Sequence, residues 1–118
     1  MSSTSLLHYS AAQMLIMGFD GTEVDDQHPI SYAIEDHGLG GVLLFDKNLK
    51  HPDQEKNINN QEQVKRLTDN LKTFASCCHS PLEEPLPLFI SVDYEGGRVN
   101  RLKPEYQFPE TLPPAIFA

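Results

Sequence analysis

The chain has 118 residues, of which 39% are hydrophobic, and this length fits one compact domain and is too short for two. With 17 acidic against 9 basic side chains, the net charge is -8, which argues against nucleic acid or an anionic membrane surface as a partner. Cys77 and Cys78 are adjacent, which excludes a disulfide framework and a four-ligand zinc site.

The first part of the chain predicts a strand, a helix and a second strand. The apolar run at residues 14–19 predicts a buried strand that ends in a turn. Residues 29–37 carry apolar side chains at helical spacing, and Gly38 supplies a C-terminal stop. The second apolar run, at residues 42–45, has no alternation, so we expect both of its faces to be covered, as in a parallel sheet.

The second part of the chain predicts a loop, a helix and a third strand. Residues 46–60 are polar and rich in asparagine and lysine, which indicates an exposed loop. From Gln61, apolar residues recur every three or four positions opposite a polar face, which predicts an amphipathic helix of about four turns. Residues 88–92 form a third apolar run, again expected to be buried on both faces. Residues 96–118 lack periodicity and indicate a long loop, with another element starting at Pro114.

No segment of the sequence predicts export or membrane insertion. The first nine residues contain no lysine or arginine and no apolar core of the length that a signal peptide needs. The longest apolar stretches are far shorter than the roughly 20 residues that cross a bilayer. We therefore expect a cytoplasmic protein without a membrane partner.

The alternation of strands and helices predicts right-handed crossovers and a parallel sheet of the α/β class. Three parallel strands leave two unpaired edges and too few helices to cover both faces of the sheet. The pattern therefore indicates the opening of a larger α/β domain. The alternative is a non-catalytic module that folds alone or self-associates through its exposed sheet edges.

An aspartate follows each predicted strand, at the end of a parallel sheet where functional groups gather. Asp20 and Asp46, each taken alone, are better explained as turn or cap residues. Asp93 opens a loop that combines two carboxylates, two glycines and two arginines: Asp93, Glu95, Gly96, Gly97, Arg98 and Arg101. A carboxylate that accepts hydroxyl hydrogen bonds beside a guanidinium that donates them suits a polyhydroxylated ring. A charge pair that only pins the loop explains the pattern equally well.

Metal chemistry has little support in the sequence. The five histidines are scattered without ligand spacing, and the acidic residues after the first strand lack the register of a calcium-binding loop. No glycine-rich segment matches a nucleotide-binding fingerprint. We therefore expect no metal site and no cofactor.

Several segments of the sequence are similar to one family. Residues 90–102, ISVDYEGGRVNRL, resemble the hallmark motif of family-three glycoside hydrolases, in particular the bacterial β-N-acetylhexosaminidases. Residues 13–21 and 40–48 resemble the first and second strands of that family, and residues 112–115 resemble the segment after the third strand. The resemblance covers about residues 10–118, nearly the whole chain.

The resemblance implies the first three β/α units of a (β/α)8 barrel, incomplete in these residues, with its site on the carboxyl-end face. In such enzymes the aspartate that matches Asp93 binds hydroxyls of the terminal N-acetylglucosamine, and the arginine that matches Arg101 helps to organise the same subsite. Tyr94 stands where these enzymes commonly have glutamine, which alters the expected subsite. Four other motif residues are expected to support the loop: Glu95, Gly96, Gly97 and Arg98.

The chemistry of the family is a retaining hydrolysis with an aspartate nucleophile and an acid/base on a mobile loop. That pair normally lies well downstream of the motif, and a complete barrel needs about 250 residues. The resemblance therefore implies that residues 1–118 are the amino-terminal part of a barrel domain without a second domain. We expect this part to bind a glycan that contains N-acetylglucosamine and to lack the catalytic residues for hydrolysis.

Overall fold

The computed structural model describes residues 3–116, in which helices and strands alternate. The elements in chain order are helix α1 (Ser3–Gln13), strand β1 (Ile16–Gly18), helix α2 (Pro29–Glu35), strand β2 (Gly41–Leu44), helix α3 (Gln61–Ser76) and strand β3 (Phe89–Val92). Two short 3-10 helices follow at Pro104–Tyr106 and Pro114–Ile116, the second at the position where the sequence predicts a new element. Helix α1 was not predicted.

The three strands form one parallel sheet in the order β1-β2-β3. Ile16 pairs with Gly41, and Gly41 pairs with Phe89, so these three residues form a row across the sheet. Strand β2 is central, and β1 and β3 are edges without a further neighbour among residues 3–116. This arrangement confirms the predicted parallel sheet of the α/β class and its two open edges.

The hydrophobic core lies between one face of the sheet and helices α2 and α3. Its members include Ile30 and Ile34 from α2, Val42 and Leu44 from β2, Ile58, and Leu67, Leu71 and Ala75 from α3. Helix α3 has the predicted amphipathic pattern, with ion pairs Glu62–Arg66 and Lys65–Asp69 on its exposed side. No helix within residues 3–116 has the length and apolar content to cross a membrane.

The prediction that all three strands are buried is wrong for the two edge strands. Ile16 is 60% exposed and Phe89 is 74% exposed, whereas Val42 on the central strand is fully buried. Ile16 and Phe89 flank Gly41 on the sheet face that points away from the core. An unbroken apolar run shows that a strand can be covered, but the layer that would cover this face is not among the described residues.

The prediction of an exposed loop after β2 is wrong in part, because Asp46 and Asn57 are buried to 1% and 0% exposure. The side-chain amide of Asn57 donates hydrogen bonds to the carbonyl oxygens of Phe19 (3.1 Å) and Gly21 (3.0 Å). Its Oδ1 accepts a hydrogen bond from the Phe45 amide at 3.0 Å. Asn57 thereby connects the chain after β1 with the chain after β2.

Two glycines fix the packing of the chain before β2. Gly38 has φ +71°, a left-handed conformation that ends α2 as the sequence predicts. A Cβ on Gly40 would lie 2.1 Å from the carbonyl oxygen of Gln13 at the end of α1. Glycine is therefore the residue that lets α1 approach the start of β2.

Candidate functional site

The three aspartates that follow the strands have different surroundings. Asp20 is exposed and forms an ion pair with Lys56 at 3.4 Å. Asp46 is almost completely buried. Asp93 is exposed, and its carboxylate has no hydrogen-bond or ion-pair partner among residues 3–116. The end of the sheet therefore presents one free carboxylate, one surface ion pair and one buried acid.

Asp46 holds two basic side chains that come from the loop after β3. Its Oδ1 lies 3.2 Å from Arg101 Nη1, and its Oδ2 lies 2.7 Å from Lys103 Nζ. Lys103 also lies 3.8 Å from a carboxylate oxygen of Glu105. Because Arg101 and Lys103 share the buried carboxylate of Asp46, their ion pairs connect the loop after β3 with the end of β2.

Asp46, Arg101, Lys103 and Glu105 form an ionic cluster, and the charges within it shift the pKa values of Asp46 and Lys103. Burial alone would raise the pKa of Asp46, but the hydrogen bond from Lys103 and the charges of Lys103 and Arg101 bring that pKa below its ordinary value of 3.8. The hydrogen bond to Asp46 raises the pKa of Lys103 above 10.5, despite the opposing effect of burial. At neutral pH, Asp46 is therefore an anion and Lys103 is a cation.

Phe45, the residue just after β2, lies beside two cations. Arg101 Cζ is 5.3 Å from the ring centroid of Phe45, and Lys56 Nζ is 5.5 Å from it. The guanidinium of Arg101 therefore contacts both an aromatic ring and the carboxylate of Asp46. Its Nε is buried and has no hydrogen-bond partner within the part of the chain that the structure describes.

The loop that the sequence singles out turns sharply at its two glycines. Gly96 and Gly97 have φ values of +72° and +56°, and an isolated antiparallel bridge joins Gly96 to Val99. A Cβ on Gly96 would lie 2.8 Å from the carbonyl oxygen of Leu112. The turn therefore needs glycine both for its conformation and for its contact with the following segment.

A groove of about 360 Å³ lies beside this turn, lined in part by Tyr94, Glu95, Thr111 and Leu112. The hydroxyls of Tyr94 and Thr111 share a hydrogen bond across it. The groove brings the motif loop together with the segment before the last 3-10 helix. Tyr94 thus has a structural partner at the position where the resemblance leads one to expect glutamine.

Among the described residues, the carboxylates and arginines of the loop after β3 do not pair with one another as the sequence predicts. The side chains of Glu95 and Arg98 are exposed and, like that of Asp93, have no polar partner within residues 3–116. Arg101 forms its ion pair with Asp46, which is 55 residues away in sequence. The sugar-binding roles of Asp93 and Arg101 and the loop-supporting roles of the other motif residues stay predictions.

Sequence reasoning missed three residues that organise this end of the sheet. It explained Asp46 as a turn or cap residue, and it did not single out Asn57 or Lys103. The sequence does contain one signal for Asp46, namely its position directly after the apolar run of β2. An acid that is buried there requires a cationic partner. Arg101 and Lys103, two positions apart on a loop at the same end of the sheet, are such partners.

Comparisons with known proteins identify the family of the chain. The family model described as "Glycosyl hydrolase family 3 N terminal domain" matches residues 7–114. The chain is 34% identical over 95 residues to a "Beta-hexosaminidase" of Alkalilimnicola ehrlichii, which covers 75% of this chain and 20% of that protein. It is 36% identical over 76 residues to "Beta-hexosaminidase A" of Pseudoalteromonas piscicida, covering 64% of this chain and 10% of that protein.

A third relative, a "Beta-hexosaminidase" of Xylella fastidiosa, is 31% identical over 101 residues, covering 86% of this chain and 23% of that protein. The chain thus spans a quarter or less of the length of these curated relatives. No solved structure matches it significantly. Because the family model covers most of its residues, the chain belongs to glycosyl hydrolase family 3 through its N-terminal domain.

Proposed function

We propose that this protein is a glycosidase of the β-N-acetylhexosaminidase type, which hydrolyses O-glycosyl bonds and releases terminal N-acetylglucosamine. The main support is the match of the family model to residues 7–114, a range that includes all of the motif loop. The names of the curated relatives support the same activity. The substrate is a glycan that contains N-acetylglucosamine.

In this proposal, Asp93 and Arg101 contribute to the sugar subsite at the carboxyl end of the sheet. The free carboxylate of Asp93 can accept hydrogen bonds from two sugar hydroxyls. The Arg101 side chain is 24% exposed, and its guanidinium can donate hydrogen bonds to sugar oxygens from the part that is neither buried nor in contact with Asp46. The turn at Gly96 and Gly97 supports the loop between them.

The larger architecture in the proposal is a (β/α)8 barrel of which β1, β2 and β3 are the first three strands. Two observations support it, namely the parallel order of the strands and the uncovered sheet face that carries Ile16 and Phe89. In a closed barrel both edges pair with further strands, and inward-facing side chains fill the interior. The nucleophile and the acid/base then belong to later β/α units.

The sugar-binding part of the proposal is tested by titrating the ¹⁵N-labelled chain with N-acetylglucosamine and following its amide signals. We expect shifts concentrated in residues 93–101, with loss of binding in Asp93→Ala. The control is Glu84→Ala, which removes an exposed carboxylate from the segment before β3, at the other end of the sheet. Equal affinity in all three proteins, or no shifts in the wild type, would contradict the assignment of Asp93.

The catalytic part of the proposal is tested with a chromogenic N-acetylglucosaminide. We expect no hydrolysis by the 118-residue polypeptide, because the catalytic pair of the family normally lies downstream of the motif. Turnover by this polypeptide would show that its own residues supply a nucleophile and an acid/base.

A further inference from the structure

Asp46 is a buried acid at the end of β2 for which the proposed function has no role. We propose that Asp46 is a positioning residue, which holds the guanidinium of Arg101 in the orientation that donates hydrogen bonds to a sugar. This inference rests on the proposed function and adds a residue to its binding site. It assigns Asp46 no direct contact with the ligand.

The first support is the number of restraints on Arg101. The carboxylate of Asp46 contacts one nitrogen, Nη1, at 3.2 Å, and the ring of Phe45 lies 5.3 Å from the guanidinium carbon. A planar guanidinium that is held at one edge and beside one aromatic ring has a defined orientation. A free arginine on a loop would instead lose side-chain entropy when it binds a ligand.

The second support is that the carboxylate itself is fixed. Oδ2 of Asp46 lies 2.7 Å from Lys103 Nζ, so the two carboxylate oxygens have different cationic partners. The side chain of Asp46 is 1% exposed, so the protein covers almost all of its surface. The backbone of Asp46 is held as well, because its carbonyl oxygen accepts a hydrogen bond from the Lys56 amide at 3.0 Å.

The third support is the part of Arg101 that stays accessible. Its Nε is buried and has no acceptor within residues 3–116, so a ligand does not reach this nitrogen. Asp46 contacts Nη1, yet the side chain of Arg101 as a whole is 24% exposed. A bound sugar can therefore meet the exposed part of a side chain whose guanidinium Asp46 already holds in place.

The test compares wild type with Asp46→Asn, which keeps the size of the side chain and removes its charge. The control is Glu105→Gln, which removes a carboxylate from the same ionic cluster without a contact to Arg101. Two measurements are made on each protein, namely the NMR signal of the Arg101 Nε–Hε group without sugar and the affinity for N-acetylglucosamine. Dispersion of the amide spectrum reports whether each variant is folded.

We expect the Arg101 Nε–Hε signal of the wild type to be protected from exchange and to lose that protection in Asp46→Asn. The affinity of Asp46→Asn for the sugar should fall by about tenfold, because ordering of the guanidinium then accompanies binding. Glu105→Gln should match the wild type in both measurements. If Asp46→Asn does not fold, Asp46→Glu keeps the charge and displaces the oxygens, and we expect the same two losses.

The outcomes separate this inference from the proposed function. An unchanged Arg101 signal in a folded Asp46 variant, or an unchanged sugar affinity, would overturn the positioning role of Asp46 and leave sugar binding intact. The wild type could instead fail to bind the sugar while its Arg101 signal still depends on Asp46. That result would overturn the proposed function and the inference that Asp46 orients Arg101 for a sugar. The structural restraint on Arg101 would then stand alone.

Discussion

Replacement of Asn57 by alanine tests whether one side chain holds the ends of β1 and β2 together. The change removes three hydrogen bonds, two donated to the carbonyl oxygens of Phe19 and Gly21 and one accepted from the Phe45 amide. The backbone hydrogen bond from the Asn57 amide to the Phe45 carbonyl oxygen, at 2.8 Å, remains in the variant. The perturbation is therefore confined to the side chain.

The magnitude follows from the number of bonds removed. Each such hydrogen bond contributes about 1 kcal/mol net, so Asn57→Ala should lower the free energy of unfolding by about 3 kcal/mol. With an m-value of about 1.5 to 3 kcal/mol/M in urea, the unfolding midpoint should fall by about 1 to 2 M. A loss of this size is a large fraction of the stability of a small domain.

The assay is urea unfolding followed by far-UV circular dichroism, with wild type, Asn57→Ala and Asn59→Ala measured side by side. Asn59 is exposed, and its side chain has no hydrogen-bond partner within residues 3–116, so its replacement should change the free energy of unfolding by less than about 0.5 kcal/mol. If Asn57→Ala unfolds at the same urea concentration as Asn59→Ala, then Asn57 does not connect the two strand ends in solution.

Three further predictions concern other parts of the fold. Gly40→Ala should lower the free energy of unfolding by more than about 2 kcal/mol in a urea titration, because its Cβ meets the backbone of α1. Gly18→Ala, which meets nothing within 4 Å, is the control, and equal losses would refute the clash. The pKa of Asp46 is lowered in the folded state, so its charge stabilises the fold above its ordinary pKa of 3.8. The difference in free energy of unfolding between wild type and Asp46→Asn should therefore shrink as the pH falls below that value. A difference that grows there would refute the assignment. Burial and nearby carboxylates raise the pKa of the Cys78 thiol, so mass spectrometry after brief alkylation at neutral pH should find exposed Cys77 modified first, and the reverse order would contradict this.

The spacing of apolar residues is sufficient to predict an element whose own sequence has a distinct apolar face or an unbroken apolar run. Helix α3 has a clear polar and apolar face, and β2 is an unbroken apolar strand, and both form where the pattern predicts them. Helix α1 was missed because its sequence, STSLLHYSAAQ, has little contrast between faces, and Tyr9 is its one buried side chain among residues 3–13. Its position depends instead on contacts with Gly38 and Gly40.

The sequence predicts the loop after β3 as the candidate site, which stays a prediction, and it does not predict the side-chain contacts of that loop. The acid and glycine pattern after β3 identifies the loop from sequence, because these residue types are unusual together at a strand end. The ion pair between Asp46 and Arg101 joins residues 55 positions apart, and it depends on how the loop after β3 folds back over β2. No local pattern encodes that approach, so Asp46 was explained by its neighbours in sequence alone.

The open edges of the sheet have a consequence for the behaviour of the polypeptide in concentrated solution. Unpaired strand edges and the uncovered apolar side chains of Ile16 and Phe89 favour contact between copies. At neutral pH the net charge of -8 opposes that contact by mutual repulsion. Near the pI of about 4.9 the repulsion vanishes, so colloidal stability should reach its minimum there, in mildly acidic buffer where the Asp46 cluster is still ionised.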